Sequence, residues 1–162
     1  MSARCTYNSI MTARETLDAN VAGAANPEIT HSAFNTDLTL NATSTPPVSQ
    51  VVYLELDLTA GAYTIDLTSL QGVDGVIDGT GLKVQAIKFQ NIAGNAALSF
   101  KAGASNGYNL GGNANWEVHL GAAADESQHL YRDTNPDISG TAKTIDVAGT
   151  GTQSFKVAIW LG

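Results

Sequence analysis

Apolar and polar residues alternate along most of this 162-residue chain. Between residues 50 and 58 the alternation is regular, with Val52 and Leu54 on one face and Tyr53 and Glu55 on the other. A period of two residues is typical of a β-strand with one buried face. The same pattern predicts nine strands, at residues 34–42, 50–58, 63–67, 82–89, 96–100, 116–120, 128–132, 143–147 and 155–161.

Loops rich in glycine, asparagine and threonine separate the predicted strands. Residues 50–67 read as a β-hairpin, and residues 69–81 as a long surface loop anchored by the apolar side chains of Val76 and Ile77. Short strands at this spacing favour a β-sandwich over a barrel or an α/β fold. We therefore expect one antiparallel β-sandwich, of jelly-roll or immunoglobulin-like type, over residues 31–162.

The predicted strand at 82–89 changes phase partway along its length. Val84 and Ala86 alternate with polar neighbours, but Ile87 and Phe89 fall on the opposite phase. An inserted residue turns every later side chain to the other face of a sheet. The pattern therefore indicates either a strand buried on both faces or a β-bulge near Ala86.

Residues 1–30 do not share the strand pattern. Thr12, followed three residues later by Glu15, is typical of a helix N-terminus, and it predicts a short helix over 13–25 that Pro27 would end. The composition equally allows an extended arm that packs on a neighbouring subunit, or a frayed tail. We keep the arm and the short helix as alternatives for this segment.

Charge and composition exclude several classes of protein. Only 14% of the residues are charged, the formal net charge is −7, and the eight basic residues are scattered. Nucleic acid is therefore not an expected ligand, because phosphate backbones are bound by clustered Lys and Arg. The single cysteine, Cys5, cannot form an internal disulfide. No signal-peptide pattern and no apolar run of 18 residues is found, so we expect assembly in a cytoplasm and no membrane span.

One short motif resembles the nucleophile elbow of a hydrolase. Residues 103–107 match G-x-S-x-G with Ser105 in the middle, and Asp125 and His129 follow in the order of a catalytic triad. A nucleophile elbow also needs a helix directly after the serine, and the glycines and asparagines that follow here disfavour one. We therefore expect a loop between strands and no catalytic residues.

Metal-binding residues are present without metal-site spacing. His31, His119 and His129 lack the spacing that places zinc ligands on one face. Asp74 and Asp78 supply oxygen atoms in a glycine-rich loop, as calcium prefers, but they are also typical of turns in which the carboxylate binds its own backbone. We expect no metal and no other cofactor.

The aromatic residues allow two kinds of contact. Tyr108, at the tip of a glycine-rich loop, is a candidate together with Trp116 and Trp160 for stacking on sugar rings, as in a carbohydrate-binding module. Trp116 shares the apolar phase of its strand, so we expect it in the core. Trp160 lies on the face opposite Phe155, which indicates packing against a terminal arm or an interface.

Three segments carry a family resemblance: KVQAIKFQNIAGNAALSFKAGASNGYNLGG, WEVHL and TAKTIDVAGTGTQSFKVAIWLG. They resemble the small β-sandwich structural proteins of tailed-bacteriophage virions, including capsid decoration (cement) proteins, over residues 50–162. The resemblance implies a non-enzymatic virion subunit that forms homo-oligomers, often trimers, and binds the major capsid protein or another virion protein. It carries over no site residues.

From the residues themselves we predict a candidate interface at Asn106, Tyr108, Leu110 and Trp160. The favoured function is capsid decoration. A tail or fibre component of the virion and a carbohydrate-binding module remain the alternatives.

Overall fold

The structure is a computed structural model that describes residues 3–10, 13–16, 28–31, 36–73, 75–122, 124–131 and 133–162. These residues contain fourteen strands and one 3-10 turn, at Leu110–Gly112. The strands are β1 (Arg4–Ser9), β2 (Ala13–Thr16), β3 (Glu28–His31), β4 (Thr36–Asn41), β5 (Gln50–Asp57), β6 (Ala62–Asp66), β7 (Leu70–Gly72), β8 (Gly75–Ile77), β9 (Val84–Asn91), β10 (Leu98–Ala102), β11 (Glu117–Leu120), β12 (Glu126–Leu130), β13 (Thr144–Ala148) and β14 (Ser154–Leu161).

Eight of these strands form two four-stranded antiparallel sheets. Sheet I has the order β5-β14-β9-β12, and sheet II has the order β6-β13-β10-β11. Numbered from one to eight along the chain, the strands follow the orders 1-8-3-6 and 2-7-4-5. This is the strand order of a jelly roll, whereas an immunoglobulin-like sandwich would pair the first strand with the second. The predicted β-sandwich is confirmed, and it is a jelly roll.

Aromatic side chains join the two sheets at the centre of the core. Phe89 of sheet I stacks on Phe100 of sheet II with ring centroids 4.4 Å apart. Phe155 of sheet I meets Phe100 edge-on at 5.7 Å and Tyr63 of sheet II at 5.8 Å. Full burial of each such ring contributes about 1.5–3 kcal/mol. Trp116 is 8% exposed and stacks beside Phe89, so its predicted place in the core is confirmed.

The nine predicted strands correspond to β4, β5, β6 and β9–β14, with boundaries shifted by a few residues.

The phase change in β9 has both predicted causes. Val84 to Ile87 are all buried, and Gln85 is an extra residue, because Trp160 faces Ala86 while Leu161 faces Val84. Gln85 is accommodated by its side-chain amide, whose oxygen accepts from Asp133 N–H at 2.8 Å and whose nitrogen donates to the Gly162 carbonyl at 3.1 Å.

The predicted loop at 69–81 differs from expectation, because it contains the small antiparallel pair β7–β8. Ile77 packs against the core as predicted. Val76, the other predicted anchor, is 64% exposed, and Val73 at the turn is 99% exposed. The prediction for Val76 is therefore wrong: in a two-stranded ribbon that packs by one face, the alternation turns Val76 outwards while Ile77 points inwards.

The chain divides into two compact units, Met1–Cys5 with Leu40–Gly162, and Thr6–Thr39. In the second unit β2 and β3 pair antiparallel, so the predicted helix is wrong for residues 13–16. Thr12 and residues 17–27 lie outside the described part of the chain. In the first unit Cys5 is buried, and burial raises the pKa of its thiol to about 11, which disfavours the reactive thiolate.

Candidate functional site

Two side chains of the predicted interface are in the core. Tyr108 is fully buried and Leu110 is 2% exposed. The Tyr108 hydroxyl donates to the Pro136 carbonyl at 2.7 Å and accepts from Val84 N–H at 3.1 Å, and burial raises its pKa to about 12. The hydroxyl therefore links a loop to β9 rather than facing solvent. The prediction that Tyr108 and Leu110 present a contact surface is corrected, because the glycine-rich loop folds both inwards.

Asn106 lies at the exposed end of this loop. It has a φ of +55°, a conformation for which Asn is better suited than most residues. Its carbonyl accepts from Lys143 N–H at 2.7 Å and from Thr144 N–H at 3.0 Å, which ties the turn to the start of β13. The side chain of Asn106 is thus on the surface, and a contact role for it stays a prediction.

The G-x-S-x-G residues form this same tight turn. A Cβ atom at Gly103 would overlap the Thr144 side chain, and one at Gly107 would overlap the Gly103 carbonyl. Both glycines are therefore required by close backbone packing, and Ser105 accepts from the Thr144 hydroxyl through its main-chain carbonyl. Packing against β13 explains the motif without a nucleophile.

The other two members of the triad-like set have local partners of their own. His129 Nε2 lies 2.7 Å from the Ser127 hydroxyl on the same strand, and burial lowers the pKa of the imidazole. Asp125 accepts from Gly121 N–H at 2.7 Å and from Glu126 N–H at 2.9 Å. The hydroxyl that His129 contacts therefore belongs to Ser127, not to Ser105.

The predicted turn role of Asp78 is confirmed. Its Oδ1 accepts from Thr80 N–H at 2.9 Å and from the Thr80 hydroxyl at 2.6 Å, and these bonds lower the pKa of the carboxyl. Asp74 lies outside the described residues. His119 is exposed and 3.4 Å from the Glu117 carboxylate. Within the described ranges, no three His, Cys, Asp or Glu side chains come together as a metal site.

The outer face of sheet II is polar. Glu117, Lys101, Asp146 and Thr64 stand side by side across its four strands. An open groove of about 350 Å³ runs over this face, with Trp116 at its edge. The Trp116 indole N–H donates to the Tyr108 carbonyl at 2.7 Å, so this polar atom is used within the core.

The outer face of sheet I carries apolar residues on neighbouring strands. Tyr53 is 61% exposed and Val51 is 37% exposed on β5, and Trp160 of β14 lies opposite Val51, half-buried. We call Val51, Tyr53, Trp160 and Leu130 the apolar band. Leu130 of β12 completes the row, because it lies opposite Ala86, which is also opposite Trp160.

Charged pairs flank the apolar band on the same face. Lys156 lies 3.6 Å from the Glu55 carboxylate, and Lys88 lies 2.8 Å from that of Glu126. Pairs as exposed as these contribute little to stability. They do surround the band with polar groups, and an apolar centre with a polar rim is typical of a protein–protein interface.

Trp160 therefore lies on the outer face that the alternation predicted, beside aromatic and aliphatic residues that the sequence analysis did not group with it. The register of β5, β14, β9 and β12 brings these residues together.

In the described part of the chain, no helix is long and apolar enough to cross a membrane. Comparison with known families, curated proteins and solved structures finds no match to this chain.

Proposed function

We propose that this chain is a non-enzymatic structural subunit of a tailed-bacteriophage virion, and that it serves as a capsid decoration (cement) protein. The observation that carries the proposal is the difference between the two outer faces. Sheet II presents Glu117, Lys101 and Asp146 to solvent, whereas sheet I presents Tyr53 and Trp160. One face is therefore suited to water and the other to contact with protein.

The exposed part of the apolar band is large enough to matter for association. Tyr53 and Val51 retain 61% and 37% of their accessible surface in the single chain. Covering both removes about 200 Å² from water, and because part of this area is polar, its burial favours association by at most about 5 kcal/mol before the entropic costs of binding.

Two further observations support a virion role over other assemblies. Jelly rolls with this strand order are common among viral capsid domains, although a fold by itself does not determine a function. The segments from Lys83 onwards resemble virion structural proteins of tailed bacteriophages. Together they support a subunit that is made in the host cytoplasm, self-associates and binds the major capsid protein.

The test compares particles of the encoding virus made with and without this gene. We expect mass spectrometry to find the chain in purified wild-type heads. Heads that lack it should disassemble at a lower temperature, and purified protein added back should restore the loss. Absence of the chain from purified particles would contradict a virion role. If antibodies against the chain label the tail instead of the head in electron micrographs, the tail or fibre alternative replaces decoration.

A carbohydrate-binding module is the second candidate, supported by the groove on sheet II. Its lining includes Lys101, Asn115, Glu117 and Asp146, which are suitable hydrogen-bonding partners for sugar hydroxyls. Trp116 is only 8% exposed, however, and its ring is stacked inside the core, so it offers little surface for a sugar ring. Binding on a glycan array that is lost on Lys101→Ala would favour this candidate over assembly.

A further inference from the structure

Strand β5 is the first strand of sheet I and lies at its edge. It pairs with β14 over eight consecutive residues without a register shift, and within the described ranges β14 is its only neighbour in the sheet. An edge strand leaves alternate backbone N–H and C=O groups without a sheet partner. A long, regular edge therefore offers a template for pairing with another strand.

The four edges of the sandwich differ in how they are protected. β6, β11 and β12 have only four or five residues, and they carry Asp66, Glu117 and Glu126 respectively. Short edge strands and charged side chains are common devices against edge-to-edge pairing. β5 has eight residues, and its first half, Gln50 to Leu54, has no charge and no proline. This half-strand is the least protected of these four edges.

The second half of β5 is less accessible. β7 contacts β5, and Leu70 and Gln71 line a small groove together with Leu54 and Leu56. Glu55 and Asp57 also place two carboxylates on this half. An incoming strand is therefore directed to the half that contains Val51 and Tyr53.

We propose that two copies of this chain pair antiparallel through β5, about a two-fold axis at Val52. Residues that face each other across two antiparallel strands point to the same side of the sheet, whereas successive residues of one strand point to opposite sides. A two-fold axis therefore places one residue opposite its own copy and cannot pass midway between two successive residues. At Val52 the axis places Val51 opposite Tyr53 of the second copy, which is a favourable aliphatic–aromatic pair. With the axis at Tyr53, Val51 would instead face Glu55 of the second copy. With the axis at Leu54, Tyr53 would face Glu55.

This pairing joins the two copies of sheet I into one eight-stranded sheet. The paired segment, residues 50–54, is about 17 Å long, and Trp160 lies on the next strand beside Val51. The apolar bands of the two copies then become continuous on one surface. The inference deepens the self-association part of the proposed function and does not depend on which virion protein the assembly binds.

The test uses two double variants that remove the same apolar side chains. In Val51→Lys/Tyr53→Lys, the proposed register puts lysine opposite lysine twice. In Val51→Lys/Tyr53→Glu, it puts lysine opposite glutamate twice. Sedimentation velocity over a concentration series measures dissociation of the dimer, and circular dichroism checks that each variant is folded.

We expect the Lys/Lys variant to dissociate at a concentration about tenfold or more above that of the Lys/Glu variant. Salt should reduce this difference, since it screens exposed charges. Repulsion between the net charges of two whole chains would instead favour dimers of the Lys/Lys variant, because its net charge is −5 and that of the Lys/Glu variant is −7. The direction of the difference is therefore specific to the proposed pairing.

Three results would overturn the pairing. A wild-type chain that is monomeric at about millimolar concentration would overturn it together with self-association. An oligomer that neither variant disturbs would overturn the pairing and leave the proposed function standing. If the dimers of both variants dissociate equally, and more readily than the wild type, the two side chains contribute to the dimer without facing each other. This result too would contradict the β5 register.

Discussion

Replacing Tyr108 with phenylalanine removes one oxygen atom from the core and leaves the ring in place. The hydroxyl donates to the Pro136 carbonyl at 2.7 Å and accepts from Val84 N–H at 3.1 Å, and Tyr108 is fully buried. Both backbone groups therefore lose a partner where water does not reach easily. A buried polar group without a partner costs about 1–3 kcal/mol, so we expect Tyr108→Phe to lower the free energy of unfolding by about 2–4 kcal/mol.

Thermal and urea unfolding followed by circular dichroism measure this loss. For a domain of this size about 1 kcal/mol corresponds to about 2–4 °C in Tm, so the melting temperature should fall by about 4–16 °C. Tyr53→Phe is the matched control, because it removes the same atom from a side chain that is 61% exposed. It should change stability by no more than about 0.5 kcal/mol. If the two variants unfold at the same temperature, the hydroxyl does not link the loop to β9 as described.

Two further predictions concern the triad-like residues. Gly103→Ala should destabilise the fold by about 1–3 kcal/mol in urea unfolding, because the added Cβ overlaps the Thr144 side chain. Ser105→Ala should leave stability unchanged. If Ser105→Ala is the more destabilising of the two, the packing explanation is refuted. Burial lowers the pKa of His129 below its unfolded value of 6.5. The unfolded chain therefore binds the proton more readily, so stability is full above about pH 6.5 and falls as the pH drops towards the folded pKa. Titration of Tm between pH 7.5 and 5 should show a smaller acid loss in His129→Gln, and an identical loss would contradict the assignment.

The strands of the sandwich were predictable because each is long enough to show its alternation. Phe155 and Trp160 illustrate this: an odd separation along β14 sends one to the core and the other to the outer face. The order of the strands was not predictable in this way. Nothing in the sequence of β5 indicates that β14, about 100 residues later, will be its neighbour, since alternation specifies faces and not partners.

Short elements and folded loops account for the errors. β7 and β8 have three residues each, which is too few for a period of two to be recognised. Tyr108 and Leu110 lie in a loop of glycine and asparagine, a composition typical of exposed turns. The signal that was overlooked is their spacing: two large apolar residues separated by one polar residue also form a short alternation, and both point inwards.

Strand β5 carries two sets of side chains with separate roles. Val52 and Leu54 are buried between the sheets, while Val51, Tyr53 and Glu55 face outwards from the same backbone. Changes at the first set act on folding and changes at the second on what the surface contacts, because successive residues of this regular strand point to opposite faces. A library randomised only at the outward positions would therefore vary binding on a constant scaffold, which makes the strand a natural place to engineer new specificities onto this jelly roll.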